Sequence, residues 1–114
     1  MRNPPGKWLT RGIIAAMLTH IVSFKYKPDT TESARQEHRA RLRGLKDANI
    51  DGVLALVVGP DVVHSPRSYD TGLVVTFRDR AALDGYQKHP AHVPVAQHGA
   101  GLCEHIVAGD FVDL

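Results

Sequence analysis

The clearest pattern along the chain is the alternation of inward and outward side chains in residues 18–26. The even-numbered positions are Leu18, His20, Val22, Phe24 and Tyr26, and the residues between them are mostly polar. A period of two residues predicts a β-strand with one buried face, and Pro28 closes it. Three further strands are predicted at 53–59 (VLALVVG), 71–77 (TGLVVTF) and 105–111. The first of these is apolar at nearly every position, which is typical of a strand covered on both faces.

The segments between these strands predict helices. Asp29 and Glu32 form a D-x-x-E start for a helix that extends to about Asp47. The inward stripe of this helix comprises Ala34, His38, Leu42 and Leu45. A second helix is predicted at 80–88 with Asp79 as its N-cap. Pro90 interrupts it, and a short separate helix is expected over residues 90–98, ended by Gly99 and Gly101.

The element order β-α-β-β-α-β predicts an α+β, ferredoxin-like fold, in which a four-stranded antiparallel sheet carries helices on one face only. Because the strand at 53–58 is apolar on both faces, the open face of the sheet needs a cover. A second copy of the chain would supply it, giving a homodimer joined through the sheet faces, a dimeric α/β barrel. We expect residues 17–114 to form this domain. Residues 1–16, with Pro4, Pro5 and Gly6, are expected to form an irregular basic arm, and Met17 could be an alternative start.

Composition and charge limit the classes of partner that the chain is expected to bind. The chain has 114 residues and a formal net charge of +2 with acids and bases interspersed. It lacks the basic stripe of a nucleic-acid-binding protein, since Arg39, Arg41 and Arg43 are expected on a solvated helix face. The single cysteine, Cys103, excludes an intrachain disulfide and fits a reducing compartment. No segment reaches the roughly 20 apolar residues of a membrane span. We therefore expect a soluble, cytoplasmic protein that binds neither nucleic acid nor membranes.

Candidate chemistry concentrates in residues 85–98, GYQKHPAHVPVAQH, which hold three of the seven histidines. A metal site is one interpretation, because His89 and His92 are three residues apart. The zinc-binding helix, however, places its histidines four apart with a glutamate between them. This segment contains no carboxylate, so a third ligand would have to come from elsewhere. The pattern does not favour a metal site.

Proton transfer is the second interpretation of this segment. Tyr86 and His92 are six residues apart, so on one straight helix their side chains would point about 120° apart. A break at Pro90 would let both turn toward one cavity. A histidine and a tyrosine can together remove a proton and stabilise the resulting oxyanion. The alternative is that Tyr86 packs in the core while His92 covers a helix end.

Three stretches, THIVSFK (19–25), YDTGLVVTFRDR (69–80) and YQKHPAHV (86–93), carry a family resemblance. The sequence resembles the stress-responsive dimeric α/β-barrel (Dabb) family and, within it, the plant olivetolic acid cyclase. That enzyme closes a linear tetraketide by aldol condensation without a cofactor. The resemblance implies a homodimer of ferredoxin-like subunits, His92 as general base, Tyr86 as hydrogen-bond donor, and His20 and His89 beside them.

The resemblance also implies a binding pocket and shows where this chain departs from the cyclase. The expected substrate-binding residues are His20, Val22, Phe24, His38, Leu42, Leu73, His89 and Cys103. His38 and Cys103 stand where the cyclase has bulky apolar groups, and Thr71 stands where it has a histidine. We therefore expect a homodimer that binds a small carbonyl or aromatic compound, with polyketide-cyclase-like lyase chemistry as its activity. A non-catalytic stress-responsive barrel and a cofactor-free monooxygenase remain open as alternatives.

Overall fold

The computed structural model describes residues 17–113, so the arm expected at residues 1–16 lies outside it. Within that range the chain forms four strands and three α-helices. They are β1 (Leu18–Tyr26), α1 (Glu32–Arg43), β2 (Val53–Pro60), β3 (Thr71–Phe77), α2 (Arg80–Lys88), α3 (His92–Leu102) and β4 (Cys103–Val112). A short 3-10 helix, Gly44–Ala48, continues α1 to the point where the sequence predicted its end.

The four strands form one antiparallel sheet in the order β2-β3-β1-β4, which confirms the ferredoxin-like fold. In the central strand, Val22 pairs with Leu73 on one side and with Ala108 on the other. The alternation predicted for β1 is present, since its even-numbered residues are buried beneath the helices. No helix within residues 17–113 is long and apolar enough to cross a membrane.

Two helix N-caps were predicted, and one of the two predictions is wrong. Thr31, not Asp29, caps α1, because its hydroxyl accepts a hydrogen bond from the Ala34 amide at 3.1 Å. Threonine beside the first turn satisfies one of the free amides of the helix without the longer reach that Asp29 would need. Asp79 caps α2 as predicted, accepting from the Ala82 amide at 2.9 Å.

The third helix is longer than the sequence predicted. Gly99 and Gly101 do not end it, and α3 runs to Leu102 before β4 begins directly at Cys103. Gly99 is needed instead for close packing, since a Cβ at this position would lie 2.7 Å from Nε2 of His38 on α1. A glycine inside a helix can therefore mark a helix contact rather than a helix end.

The face of the sheet opposite the helices is open and apolar. Its exposed large side chains are Ile21, Val57, Val74, Val107 and Phe111. In the strand register Val57 lies beside Val74, and Val74 lies beside Ile21, so these side chains form one continuous row across three strands. A single chain thus covers only one face of β2, although its sequence is apolar on both.

Candidate active site

A cavity of about 200 Å³ lies between the inner face of the sheet and the helices. Eight of the side chains that the sequence singled out line it: His20, Val22, Phe24, His38, Leu42, Leu73, Tyr86 and His92. Four others were not predicted, namely Val95 and Ala96 of α3 and Ile106 and Ala108 of β4. The missed residues continue an apolar wall, and nothing in their own sequence pattern distinguishes them from ordinary core positions.

Two of the expected pocket residues do not line this cavity. His89 ends α2, where its Nδ1 accepts a hydrogen bond from the Ala91 amide at 3.0 Å and so stabilises the turn at Pro90. Cys103 is buried at the start of β4, and burial raises the pKa of its thiol to about 11. It therefore stays a protonated, unreactive thiol at neutral pH. No group of three histidine, cysteine or acidic side chains within residues 17–113 could hold a metal ion.

Tyr86 is the least satisfied polar side chain of the cavity wall. It projects from α2 into the core with 1% of its surface exposed, and its hydroxyl has no hydrogen-bond partner among residues 17–113. Burial raises the pKa of this hydroxyl to about 12, so it remains protonated and available as a donor. A buried hydroxyl without a partner is costly, which makes it a candidate for binding a ligand.

His92 lies against Tyr86 at the first position of α3. The two ring centroids are 4.2 Å apart, which is possible because the helix is interrupted at Pro90 between α2 and α3. Nδ1 of His92 is 3.4 Å from the carbonyl oxygen of Gln87, and donation in this direction leaves Nε2 unprotonated. Burial lowers the pKa of His92 below its usual value. The neutral imidazole, which can accept a proton, is therefore the form at neutral pH.

His20 joins this group from β1, with an acidic partner that the sequence did not reveal. Its Nδ1 is 2.5 Å from a carboxylate oxygen of Asp110, and its ring centroid is 6.2 Å from that of Tyr86. A carboxylate accepts, so Nδ1 of His20 donates and its ring is held in one orientation. Asp110 pairs directly opposite His20 in β4. Its inward position follows a period of two from Ala108, but only the strand register shows which residue it faces.

A second tyrosine–histidine pair lies on β1 and α1, and of its two members His38 lines the cavity. The Tyr26 hydroxyl is 2.7 Å from Nδ1 of His38 and 2.8 Å from the Thr71 hydroxyl, which accepts from Arg39 at 3.1 Å. The expectation that Arg39 is solvated is wrong, because it is 8% exposed and also pairs with Glu32 at 3.1 Å. The buried hydroxyl of Thr71 supplies the acceptor that makes this burial possible.

His38 itself is fully buried, as its place on the inward stripe of α1 predicted. Its Nε2 has no hydrogen-bond partner among the described residues. Burial, with smaller contributions from the positive charges of His98 and Arg39, lowers the pKa of His38 to about 4. The ring is therefore neutral at physiological pH, with one nitrogen protonated.

Comparisons with known proteins agree with this architecture. The family model of the stress-responsive A/B barrel domain (Dabb) matches residues 18–113. The chain belongs to the Dabb family. No curated protein sequence matches it at a significant level. The family assignment therefore rests on the domain as a whole, from β1 to the end of β4.

Solved structures share the fold of this Dabb chain at low sequence identity. A dimeric ferredoxin-like protein of unknown function from Thermobifida fusca is 23% identical, with a TM-score of 0.78 over 85% of this chain and 91% of that one. A similar dimeric protein from Jannaschia sp. is 27% identical, with a TM-score of 0.72 and coverage of 85% and 99%. The hydroxynitrile lyase from Passiflora edulis is 17% identical, with a TM-score of 0.78 and coverage of 88% and 95%.

Proposed function

We propose that this Dabb protein is an enzyme that performs cofactor-independent proton transfer on a small carbonyl or aromatic compound. The observation that carries the proposal is the Tyr86 hydroxyl, which is buried without a partner while its ring lies 4.2 Å from that of His92. A donor and a base held together in an apolar cavity suit the removal of a proton next to a carbonyl group. They suit a purely structural role less well, because the hydroxyl gains no hydrogen bond there.

In the proposed reaction His92 is the general base. Its unprotonated Nε2 takes a proton from a carbon between two carbonyl groups, and the electron pair of that C–H bond moves into an enolate. The Tyr86 hydroxyl donates a hydrogen bond to the enolate oxygen. In a cyclase-like reaction the enolate carbon then attacks a second carbonyl of the same molecule, and protonated His92 returns the proton to the new alkoxide. Loss of that hydroxyl group and of a proton from the neighbouring carbon, together as water, completes the condensation. The carbonyl groups of the substrate stabilise the carbanion, so the step itself needs no cofactor.

The size of the cavity restricts the substrate. A dry cavity of about 150 Å³ holds one benzene ring, whereas typical ligand pockets measure about 300–1,000 Å³. At about 200 Å³, this cavity suits a single-ring compound or a short chain that folds into one. Polyketide-cyclase-like aldol condensation is our more specific proposal. The Passiflora edulis protein, a lyase with the same fold, is consistent with lyase chemistry on this scaffold.

We further propose that the functional unit is a homodimer joined through the open sheet faces. The row formed by Val57, Val74 and Ile21 is an apolar surface of the kind that marks an interface, and two structural relatives are described as dimeric. Val74→Lys places a charge at the centre of this face and should give a monomer in analytical ultracentrifugation. Ala100→Lys adds the same charge to the exposed helix layer and should remain dimeric. A monomeric wild-type protein would contradict the proposal.

The catalytic proposal is tested by screening and then by substitution. A thermal-shift screen with small β-keto acids and phenolic acids identifies ligands, and each ligand is assayed for turnover. His92→Ala should lower kcat by about 10²–10⁴-fold, the usual contribution of a general base. His64→Asn is the matched control, since His64 lies exposed in a loop at φ 56°, a conformation that asparagine tolerates.

Three outcomes separate the alternatives. Turnover that survives in His92→Ala contradicts the proposed base. Binding without turnover of any ligand favours a non-catalytic barrel. Oxygen consumption with phenols favours a cofactor-free monooxygenase, which would use the same cavity for an oxidisable ring.

A further inference from the structure

His38 is a polar group of the cavity wall that the proposed reaction leaves unused, and unlike His20 it has a buried ring nitrogen without a partner among the described residues. Its side chain is 0% exposed and lines a cavity that is otherwise mainly apolar. Nδ1 is bonded to the Tyr26 hydroxyl, but Nε2 has no partner among residues 17–113. A buried ring nitrogen is costly to leave unpaired. Whether Nε2 carries the ring proton decides whether it can donate or accept a hydrogen bond.

The hydrogen-bond chain behind His38 determines that form. The Arg39 guanidinium can only donate, so the Thr71 hydroxyl oxygen accepts from it at 3.1 Å. If the Thr71 proton then points to Tyr26, the Tyr26 proton points to Nδ1 of His38, and every hydroxyl proton has an acceptor. In the reverse direction the Thr71 proton would have no acceptor among these groups. The satisfied direction makes Nδ1 an acceptor and places the proton of the neutral ring on Nε2.

We propose that His38 presents a fixed Nε2–H donor to the cavity and binds an oxygen acceptor of the ligand. This inference rests on the proposed function only in taking the cavity as the substrate site. It specifies the substrate class further: a small compound with a second ketone, carboxylate or similar oxygen besides the carbonyl that reacts beside Tyr86. Arg39, Thr71 and Tyr26 are positioning residues, since they fix the direction of the chain and do not touch the ligand.

The surroundings of His38 leave this donor for a small molecule rather than for a protein side chain. On α3 Nε2 packs against Gly99, which has no side chain that could accept, and a Cβ there would lie only 2.7 Å from Nε2. The ring of His98 is 5.9 Å away between centroids, and its Nδ1 is also buried without a partner. A water held between the two rings is therefore the competing occupant.

The tautomer of the His38 ring can be determined by NMR without any ligand. Long-range ¹H–¹⁵N correlations of the unliganded wild-type protein at pH 7 should show His38 protonated at Nε2 and unprotonated at Nδ1. Tyr26→Phe removes the hydroxyl proton that Nδ1 accepts and should leave the Nδ1–H and Nε2–H tautomers mixed. Thr71→Ser keeps the hydroxyl and should retain the wild-type tautomer. A wild-type ring protonated at Nδ1 would overturn the proposal.

The acceptor preference can be measured with two probes of matched shape. 1,4-Cyclohexanedione and 4-methylenecyclohexanone differ in one oxygen replaced by a CH₂ group. The wild-type protein should bind the dione about four- to twentyfold more tightly in NMR titrations. One neutral hydrogen bond supplies about two- to tenfold, and the two equivalent carbonyls of the dione double it. The ¹⁵N shift of His38 Nε2 should move only with the dione. His38→Phe keeps a ring of similar shape and should retain only the roughly twofold statistical preference.

The outcomes distinguish this inference from the proposed reaction. A preference of only about twofold in the wild-type protein, as expected if a water holds Nε2–H, would overturn the role of His38, as would a larger preference that persists in His38→Phe. His92→Ala should lower kcat by about 10²–10⁴-fold yet keep the preference for the dione. If turnover survives in that variant while the preference is present, the proposed base is wrong and the His38 subsite stands.

Discussion

Two tyrosine–histidine pairs lie beside the cavity, and they differ in how their hydroxyls are bonded. Tyr86 and His92 both line it, whereas His38 lines it with Tyr26 behind. Tyr26 has two partners, the ring of His38 and the hydroxyl of Thr71, and belongs to a chain that extends to Arg39. The Tyr86 hydroxyl has none among residues 17–113, although it is buried as deeply. The two tyrosines thus serve different ends, and hydrogen-bond satisfaction distinguishes the hydroxyl that holds the fold from the hydroxyl that is available to a ligand.

The difference extends to the histidines. Burial lowers the pKa of both rings, so both are neutral at pH 7. His38 uses its Nδ1 within the protein and leaves Nε2 unpaired, whereas His92 has only a long contact of 3.4 Å to a backbone carbonyl. His92 is thereby free to accept and return a proton, and His38 is held as a donor. A reacting group and a binding group can be told apart by these contacts.

The largest expected effect concerns Tyr86 and catalysis. For any substrate found by the screen, Tyr86→Phe should lower kcat/KM by about 10²–10³-fold, the usual cost of removing one oxyanion donor. The fold should be unaffected, since the ring remains in place. Tyr69→Phe, in the loop before β3 and outside the cavity lining, is the matched control. An unchanged kcat/KM in Tyr86→Phe would remove the distinction between the two tyrosines.

For the free energy of unfolding, the substitution of Tyr26 should have the larger effect and that of Tyr86 the smaller. Tyr26→Phe leaves His38 Nδ1 and the Thr71 hydroxyl without their common partner and should lower the free energy of unfolding by about 1–3 kcal/mol. Tyr86→Phe removes a buried hydroxyl that has no partner, so the free energy of unfolding should stay the same or rise. Urea unfolding at pH 7 compares the two variants directly. Equal losses would show that the Tyr86 hydroxyl is bonded in the folded protein.

The sequence predicted the elements and much of the cavity because both depend on short-range patterns. The alternation in β1 gave His20, Val22 and Phe24 their inward direction, and Pro90 predicted the break that brings His92 to Tyr86. Short-range patterns do not predict which side chains face one another across the sheet or between helices. Those contacts depend on strand register and helix packing. Asp110 was therefore missed as the partner of His20.

Arg39 and Gly99 were misinterpreted for a related reason. From residue type alone, an arginine on a helix indicates a solvated position and a glycine indicates a helix end. Each is instead explained by one contact from a distant part of the chain: Thr71 accepts from Arg39, and His38 occupies the space beside Gly99. These contacts become predictable only when the packing of α1 on β3 and α3 is known.

Gly99 offers a test of how closely His38 is packed. Gly99→Ala would place a Cβ 2.7 Å from Nε2, so the ring or α3 must shift, and the free energy of unfolding should fall by about 1–3 kcal/mol. Gly101→Ala lies in the same helix with open space around it and should stabilise the protein by up to about 1 kcal/mol. Both are measured by urea unfolding. A Gly99→Ala variant as stable as Gly101→Ala would show that His38 is loosely held.

The smallest effect is the acid sensitivity that His38 should confer. Its pKa is about 4 in the folded protein, so the unfolded chain binds a proton at this ring as the pH falls through about 6.5 while the folded protein does not. Stability contributed by the neutral ring is therefore present above pH 6.5 and decreases below it. Between pH 6.5 and pH 5 the loss should be about 1–2 kcal/mol in urea unfolding.

The same measurement on His38→Phe isolates this ring from the other titrating groups. His92, whose pKa is also lowered, contributes a loss of the same sign in both proteins. The positive charges near His38, on Arg39 and on His98 when it is protonated, oppose its protonation, and both remain in the variant. The variant should therefore lose less stability on acidification than the wild-type protein does. Identical losses would mean that His38 takes up a proton in the folded protein as readily as in the unfolded chain, contrary to its burial.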